Sequence, residues 1–133
     1  MKRNYYLLDT NIIIRFLTKD NLQLSNQAAE IIKKIEKREI RAKITEGVLA
    51  EIVYVIMKIY KKDKQFTVDV LKKILNLKGI VNRDKKRLVN ALNIFAEKNI
   101  DIIDAILTSR SAECLGVLSF DRDLREVDSS SEL

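Results

Sequence analysis

Four carboxylates sit among neighbours that make an ionised side chain expensive unless it is put to use. Asp9 follows Leu7-Leu8 and precedes Thr10-Asn11, and Glu51 is the sole charge between Val48 and Met57. Asp104 lies between Ile102-Ile103 and Ala105-Ile106-Leu107, and Asp121 ends the run Val117-Leu118-Ser119-Phe120. A carboxylate among apolar groups has to be paired, neutralised or bound to a metal. Oxygen donors of this kind suit hard divalent cations such as Mg²⁺ or Mn²⁺, which take a few carboxylates and keep several waters. A cation so held activates water and offsets charge on a phosphoryl group without help from histidine.

Each acid also has a plainer role open to it. Asp9 stands where a helix cap would stand, and Asp101 and Asp104 share a helix start where one caps and the other suits the dipole. Glu51 falls on one helix face with Lys58 and Lys62, which would make that face a wet, charged stripe. Asp121 and Asp123 suit a turn. Single residues leave the choice open. Taken jointly, two acids at strand ends and two on nearby helices favour a shared site.

Composition removes the competing chemistries. The chain has no histidine and one cysteine, Cys114. Serine–histidine and cysteine–histidine hydrolysis are therefore excluded, as are nearly all zinc sites and any internal disulfide. Cys114 reads as a small core residue. The net charge of +6 favours a polyanionic partner, although an abundance of Lys and Glu also serves solubility. No apolar run is long enough to span a membrane, and the N-terminus lacks a signal-peptide pattern, so a cytoplasmic protein is expected.

The elements that must position the acids follow from periodicity. Residues 4–8 read as a strand stopping at Asp9, and Thr10 as the cap of a helix to about Leu17. Ser25 reads as the cap of a second helix with Ala28, Ala29, Ile31, Ile32 and Ile35 inward. Residues 40–44 form a second expected strand, and Thr45 caps a long helix to about Tyr60. A helix from Thr67 to about Leu77 is expected to close at Gly79. Then come a short strand at residues 80–82, a helix from about Asp84 to Lys98, a helix from Asp101 to about Leu115, and a last strand at residues 117–120. Strands alternating with helices predict an α/β fold, a short, mostly parallel sheet of about four strands with helices on both faces. Such sheets bind ligands at the carboxyl ends of their strands, where Asp9 and Asp121 fall. The length of 133 residues suits one domain over residues 1–127 with a frayed polar tail over residues 128–133.

With these segments assembled, the chain resembles the PIN-domain ribonucleases and, within them, VapC-type toxins of toxin–antitoxin pairs. The resemblance runs from Tyr5-Tyr6-Leu7-Leu8-Asp9-Thr10-Asn11, through Ile44-Thr45-Glu46-Gly47-Val48-Leu49-Ala50-Glu51-Ile52-Val53-Tyr54 and Asp101-Ile102-Ile103-Asp104-Ala105-Ile106-Leu107, to Ser119-Phe120-Asp121-Arg122-Asp123. It implies a three-layer PIN-like fold and a metal-binding, catalytic quartet of Asp9, Glu51, Asp104 and Asp121. Asp123 matches a fifth, weaker ligand position. Thr10, Asn11 and Ser119 match residues that support the acids. The activity implied is Mg²⁺- or Mn²⁺-dependent hydrolysis of RNA, leaving 5′-phosphate ends. Arg15, Lys58, Lys61, Lys62, Arg122 and Arg125 are candidates for holding the RNA backbone, against a plain reading as solvated charges. An antitoxin whose helix fills an apolar groove and a homodimer are also implied. Two other readings stay open: a PIN nuclease of RNA processing without an antitoxin, and a non-catalytic module whose acidic patch captures an arginine-rich partner. The chain's length favours the toxin reading.

Overall fold

The first apolar run becomes strand β1 (Tyr6–Leu7), which pairs in parallel with β2 (Ala42–Lys43), Tyr6 opposite Ala42 and Leu7 opposite Lys43. These elements belong to a computed structural model that describes residues 4–120. The chain divides into two compact units, Met1–Lys85 and Lys86–Leu133.

In the first unit, α1 (Thr10–Leu17) packs against α2 (Leu22–Glu36) and against α3 (Glu46–Tyr54). Their inward faces are aliphatic: Ile13, Ile32, Ile35, Leu49 and Ile52 are buried. Helix α2 begins earlier than its apolar period suggests. Asn21, not Ser25, is its cap and accepts from the Leu24 N–H at 3.1 Å. Ser25 is buried one turn in. Leu22 and Leu24 are exposed, so the first turn carries no inward apolar residue to mark it. Helix α4 (Lys64–Leu75) starts early for the same reason. Asp63 caps it, accepting from the Phe66 N–H at 2.7 Å, and the expected cap Thr67 lies buried inside.

Thr45 does cap α3, its hydroxyl accepting from the Val48 N–H at 3.2 Å. The helix then widens into a π-helical segment, Val55–Ile59. This segment closes on bonds from the Tyr60 N–H to the Val55 carbonyl and from the Lys62 N–H to the Ile56 carbonyl. Wider turns of this type shift the helix phase, and they recur at functional sites. Lys61 follows with a positive φ of 57°.

Gly79 does not close α4, which ends at Leu75. Its role is close approach. A Cβ there would collide with the carbonyl oxygens of Ile35 and Ile40. Its own carbonyl accepts from the Ala42 N–H at 2.9 Å. The expected third strand is reduced to one parallel bridge, Ala42 with Ile80. Past it, the Asn82 side chain replaces a strand. Its Oδ1 accepts from the Ile44 N–H at 2.9 Å and its Nδ2 donates to the Ile44 carbonyl at 2.7 Å.

The second unit holds α5 (Lys85–Glu97, whose first residue belongs to the first unit) and α6 (Ile102–Ser111). Leu88, Leu92 and Phe95 line the buried face of α5, and Ile102, Ala105 and Ile106 that of α6. Helix α6 stops before the expected Leu115. Thr108, Ser109 and Ser111 donate their hydroxyls back to carbonyls of the preceding turn, a competition that loosens a helix end. Cys114 is consequently exposed rather than a core residue. Gly116 turns the chain with φ 134°. Residues 117–120 are not in a strand, and Leu118 and Phe120 are exposed. The sheet among the described residues thus has two strands and one further bridge, against about four strands expected. Among the described residues no helix is long and apolar enough to cross a membrane.

Candidate active site

The end of β1 delivers Asp9 to the start of α1. Leu8 is buried and its N–H donates to the Lys43 carbonyl at 2.9 Å, which anchors the strand end. The next residue, Asp9, has extended φ and ψ at the N-cap position, the geometry in which an aspartate ordinarily caps. Its carboxylate makes no cap hydrogen bond. Asn21, Thr45, Asp63 and Asp101 all use their side chains at the corresponding position. Among the described residues the Asp9 carboxylate has no hydrogen-bond or ion-pair partner, and the residue is exposed. Thr10 is buried in the first turn of α1 and Asn11 is exposed.

Glu51 stands on α3, the helix that packs against α1. It is exposed between buried Ala50 and Ile52. The wet-stripe reading required Lys58 and Lys62 as its neighbours. Among the described residues Glu51 forms no ion pair. The π-helical segment between them changes the phase that reading assumed. Lys62 lies over the Phe66 ring, 5.7 Å from its centroid.

In the second unit, Asp101 caps α6 by accepting from the Asp104 N–H at 2.9 Å. The two acids are thereby separated in role. Asp101 is occupied as a cap, and Asp104 lies half-buried one turn in. Ser119 is half-buried. Asp121, Asp123, Arg122 and Arg125 lie outside the described residues. Among those that are described, no group of three or more acidic or cysteine side chains is gathered into a metal site. The donors available are nonetheless of one chemical kind. Asp9 and Glu51 offer exposed carboxylate oxygens with no partner among the described residues, which suits a hard divalent cation and no softer metal.

Of the basic candidates, Arg15 is the most committed. It reaches Asp20 at 3.4 Å. Asp20 also accepts from the Thr18 hydroxyl at 3.1 Å and the Tyr60 hydroxyl at 3.0 Å. These bonds, the one from Tyr60 foremost, hold the Asp20 carboxyl below its ordinary pKa. The knot ties the end of α1 to the end of the π-helical segment. Sequence reading missed it, since Asp20 and Tyr60 are far apart in the chain and nothing local marks them. Lys58, Lys61 and Lys62 are exposed.

Neither a curated protein nor a solved structure matches the chain. A family model described as PIN domain matches residues 6–130. That span takes in both units and every acidic motif, so the chain belongs to the PIN-domain family, whose α/β members are generally nucleases that use divalent metals.

Proposed function

We propose that the chain is a metal-dependent endoribonuclease that hydrolyses RNA phosphodiester bonds as the toxin of a type II toxin–antitoxin pair. The observation that carries the catalytic reading is the idle carboxylate of Asp9. A residue shaped and placed to cap a helix, yet withheld from capping, is available for another ligand. Glu51 supports it in the same way, as a lone exposed charge without a partner among the described residues.

Asp9, Asp104 and Asp121 would hold Mg²⁺ or Mn²⁺, with Asp123 as a weaker ligand and Thr10, Asn11 and Ser119 supporting them. The cation supplies charge stabilisation at the phosphoryl group and a lowered pKa for water. Glu51 accepts a hydrogen bond from the attacking water at its Oε atoms and so orients it in line with the leaving 3′-oxygen. No residue in this scheme touches a 2′-hydroxyl, so the product carries a 5′-phosphate.

The match over residues 6–130 supports a single nuclease domain across residues 1–127, with the polar residues 128–133 as a tail. A four-stranded sheet is supported by the parallel bridge from Ala42 to Ile80, which starts a third strand beside β2. A groove of about 300 Å³ lies between α1 and α2, lined by Ile12, Leu24, Ala28 and Ile31 with Asn11 and Arg15 at its polar side. It suits the apolar face of an antitoxin helix. The same exposed aliphatic faces suit a homodimer in the cytoplasm.

The test is incubation of total RNA with the protein in Mg²⁺ or Mn²⁺ and in EDTA, followed by sequencing of the ends. Cleavage confined to the metal-containing reactions, with 5′-phosphate ends, is expected. Cleavage that persists in EDTA, or 2′,3′-cyclic phosphate ends, would refute the reading.

A further inference from the structure

Arg41, just before β2, and Lys43, on it, are two residues apart in extended chain and so point to one face of the sheet. The register places partners beside them. Tyr6 donates its N–H to the Arg41 carbonyl at 2.8 Å, and Val81 donates to the Ala42 carbonyl at 2.9 Å. Tyr5 and Val81 therefore flank the two cations on the neighbouring segments. Arg83 joins them beyond Val81. These residues and Asn4 line an open cavity of about 380 Å³ within the first unit. The Lys43 ammonium lies over the Tyr5 ring at 4.4 Å.

Three cations around one cavity repel one another, and among the described residues no ion pair offsets them. Among the described residues, Arg41, Lys43 and Arg83 form no hydrogen bond or ion pair through their side chains. Asp84, next to Arg83, accepts from the Asn82 amide at 2.9 Å. A solvated charge face would intersperse both signs. Here the free charges are all positive and surround an aromatic ring, the combination that tracks a phosphodiester backbone and stacks a base. The two arginines add planar forks suited to phosphate oxygens.

We infer that Arg41, Lys43 and Arg83, with Tyr5 between them, form a phosphodiester-binding site that grips the RNA backbone away from the acids. This inference rests on RNA as the substrate and adds the residues that hold it. Extended chain from Tyr5 to Asp9 covers about 13 Å, so a strand gripped in the cavity can run on toward the first carboxylate.

The experiment measures binding of a fluorescein-labelled single-stranded RNA of about 16 nucleotides to the full chain in EDTA, by anisotropy, over a series of salt concentrations. The variant carries Arg41→Gln, Lys43→Gln and Arg83→Gln. A control of equal net charge carries Lys33→Gln and Lys34→Gln on the exposed face of α2 and Lys37→Gln at its C-cap. Thermal melts establish that both fold. The site predicts at least a tenfold loss of affinity, about 1.4 kcal/mol, for the first variant, and a salt slope lower by about 2. The control should lose much less. Equal losses in both variants would reduce the effect to net charge and overturn the site. So would polyglutamate that displaces the RNA as effectively as unlabelled RNA does, since the cavity would then select any polyanion or an acidic protein. A chain that binds RNA through these residues yet never cuts it leaves the site standing and removes the nuclease reading. A chain that cuts RNA in metal but grips it equally well without the three cations does the reverse.

Discussion

Asp9 and Asp101 occupy the same position on their helices and use it differently. Asp101 hydrogen-bonds the first turn of α6, whereas Asp9 leaves the first turn of α1 without a side-chain cap. Asp101→Ala should therefore cost about 1 kcal/mol of stability, measured by urea denaturation. Asp9→Asn should leave stability unchanged, since the carboxylate makes no cap hydrogen bond that the substitution could remove, while RNA cleavage falls by orders of magnitude. A large loss of stability in Asp9→Asn would return the residue to a purely structural role. Asp20 offers a separate check. Its carboxyl lies below the ordinary value of 3.8, chiefly through the Tyr60 hydroxyl. The bonds to its charged form stabilise the fold at neutral pH, and that contribution fades as the pH falls through the lowered pKa. Tyr60→Phe should raise the Asp20 pKa toward 3.8, as followed by NMR titration of the carboxyl carbon. An unchanged titration would mean the hydroxyl is not its main partner. The individual acids were legible because each interrupts an apolar run. The Asp20 knot and the cations of the sheet face were not, because their meaning lies in residues that only the fold brings together.

At the scale of elements, the interiors of the helices were written in their apolar period and their beginnings were not. Asn21 and Asp63 start α2 and α4 over turns that bury nothing, so the pattern first becomes visible at Ser25 and Thr67. The third strand was legible as Ile80-Val81-Asn82, yet only Ile80 bridges to Ala42. Asn82 takes over with its amide. Asn82→Ala should cost about 2 kcal/mol, since it leaves both polar groups of Ile44 without that partner. Asn82→Asp keeps the acceptor and loses the donor, and should fall between. Gly79 was noticed for the wrong reason. It reads as a helix stop, but the carbonyls of Ile35 and Ile40 crowd its Cα. Gly79→Ala should destabilise the fold by roughly 2–3 kcal/mol, seen as an earlier denaturant midpoint with unchanged slope. A neutral effect would show that the α2 turn yields easily. The π-helical widening after α3 has no sequence signature at all, and it shifts the helix phase on which the stripe of Glu51 with Lys58 and Lys62 was assigned.

For the whole molecule, membership of the PIN family was legible in the order of four weak motifs, and the family match over residues 6–130 bears that out. Composition narrowed the chemistry further, since a chain with no histidine and one cysteine has oxygen ligands and little else to offer a metal. The extent of the sheet was less legible. Short apolar runs such as residues 117–120 look the same whether they pair or not. The proposed catalysis depends on Asp9, Glu51, Asp104 and Asp121 serving one divalent cation. Mn²⁺ binding to the full chain, titrated by calorimetry, addresses this directly and needs no RNA. The wild-type protein should bind Mn²⁺, and Asp9→Asn, Asp104→Asn and Asp121→Asn should each weaken binding by about tenfold or more, while Asp101→Asn leaves it intact. Equal Mn²⁺ affinity in all of these proteins would contradict the account.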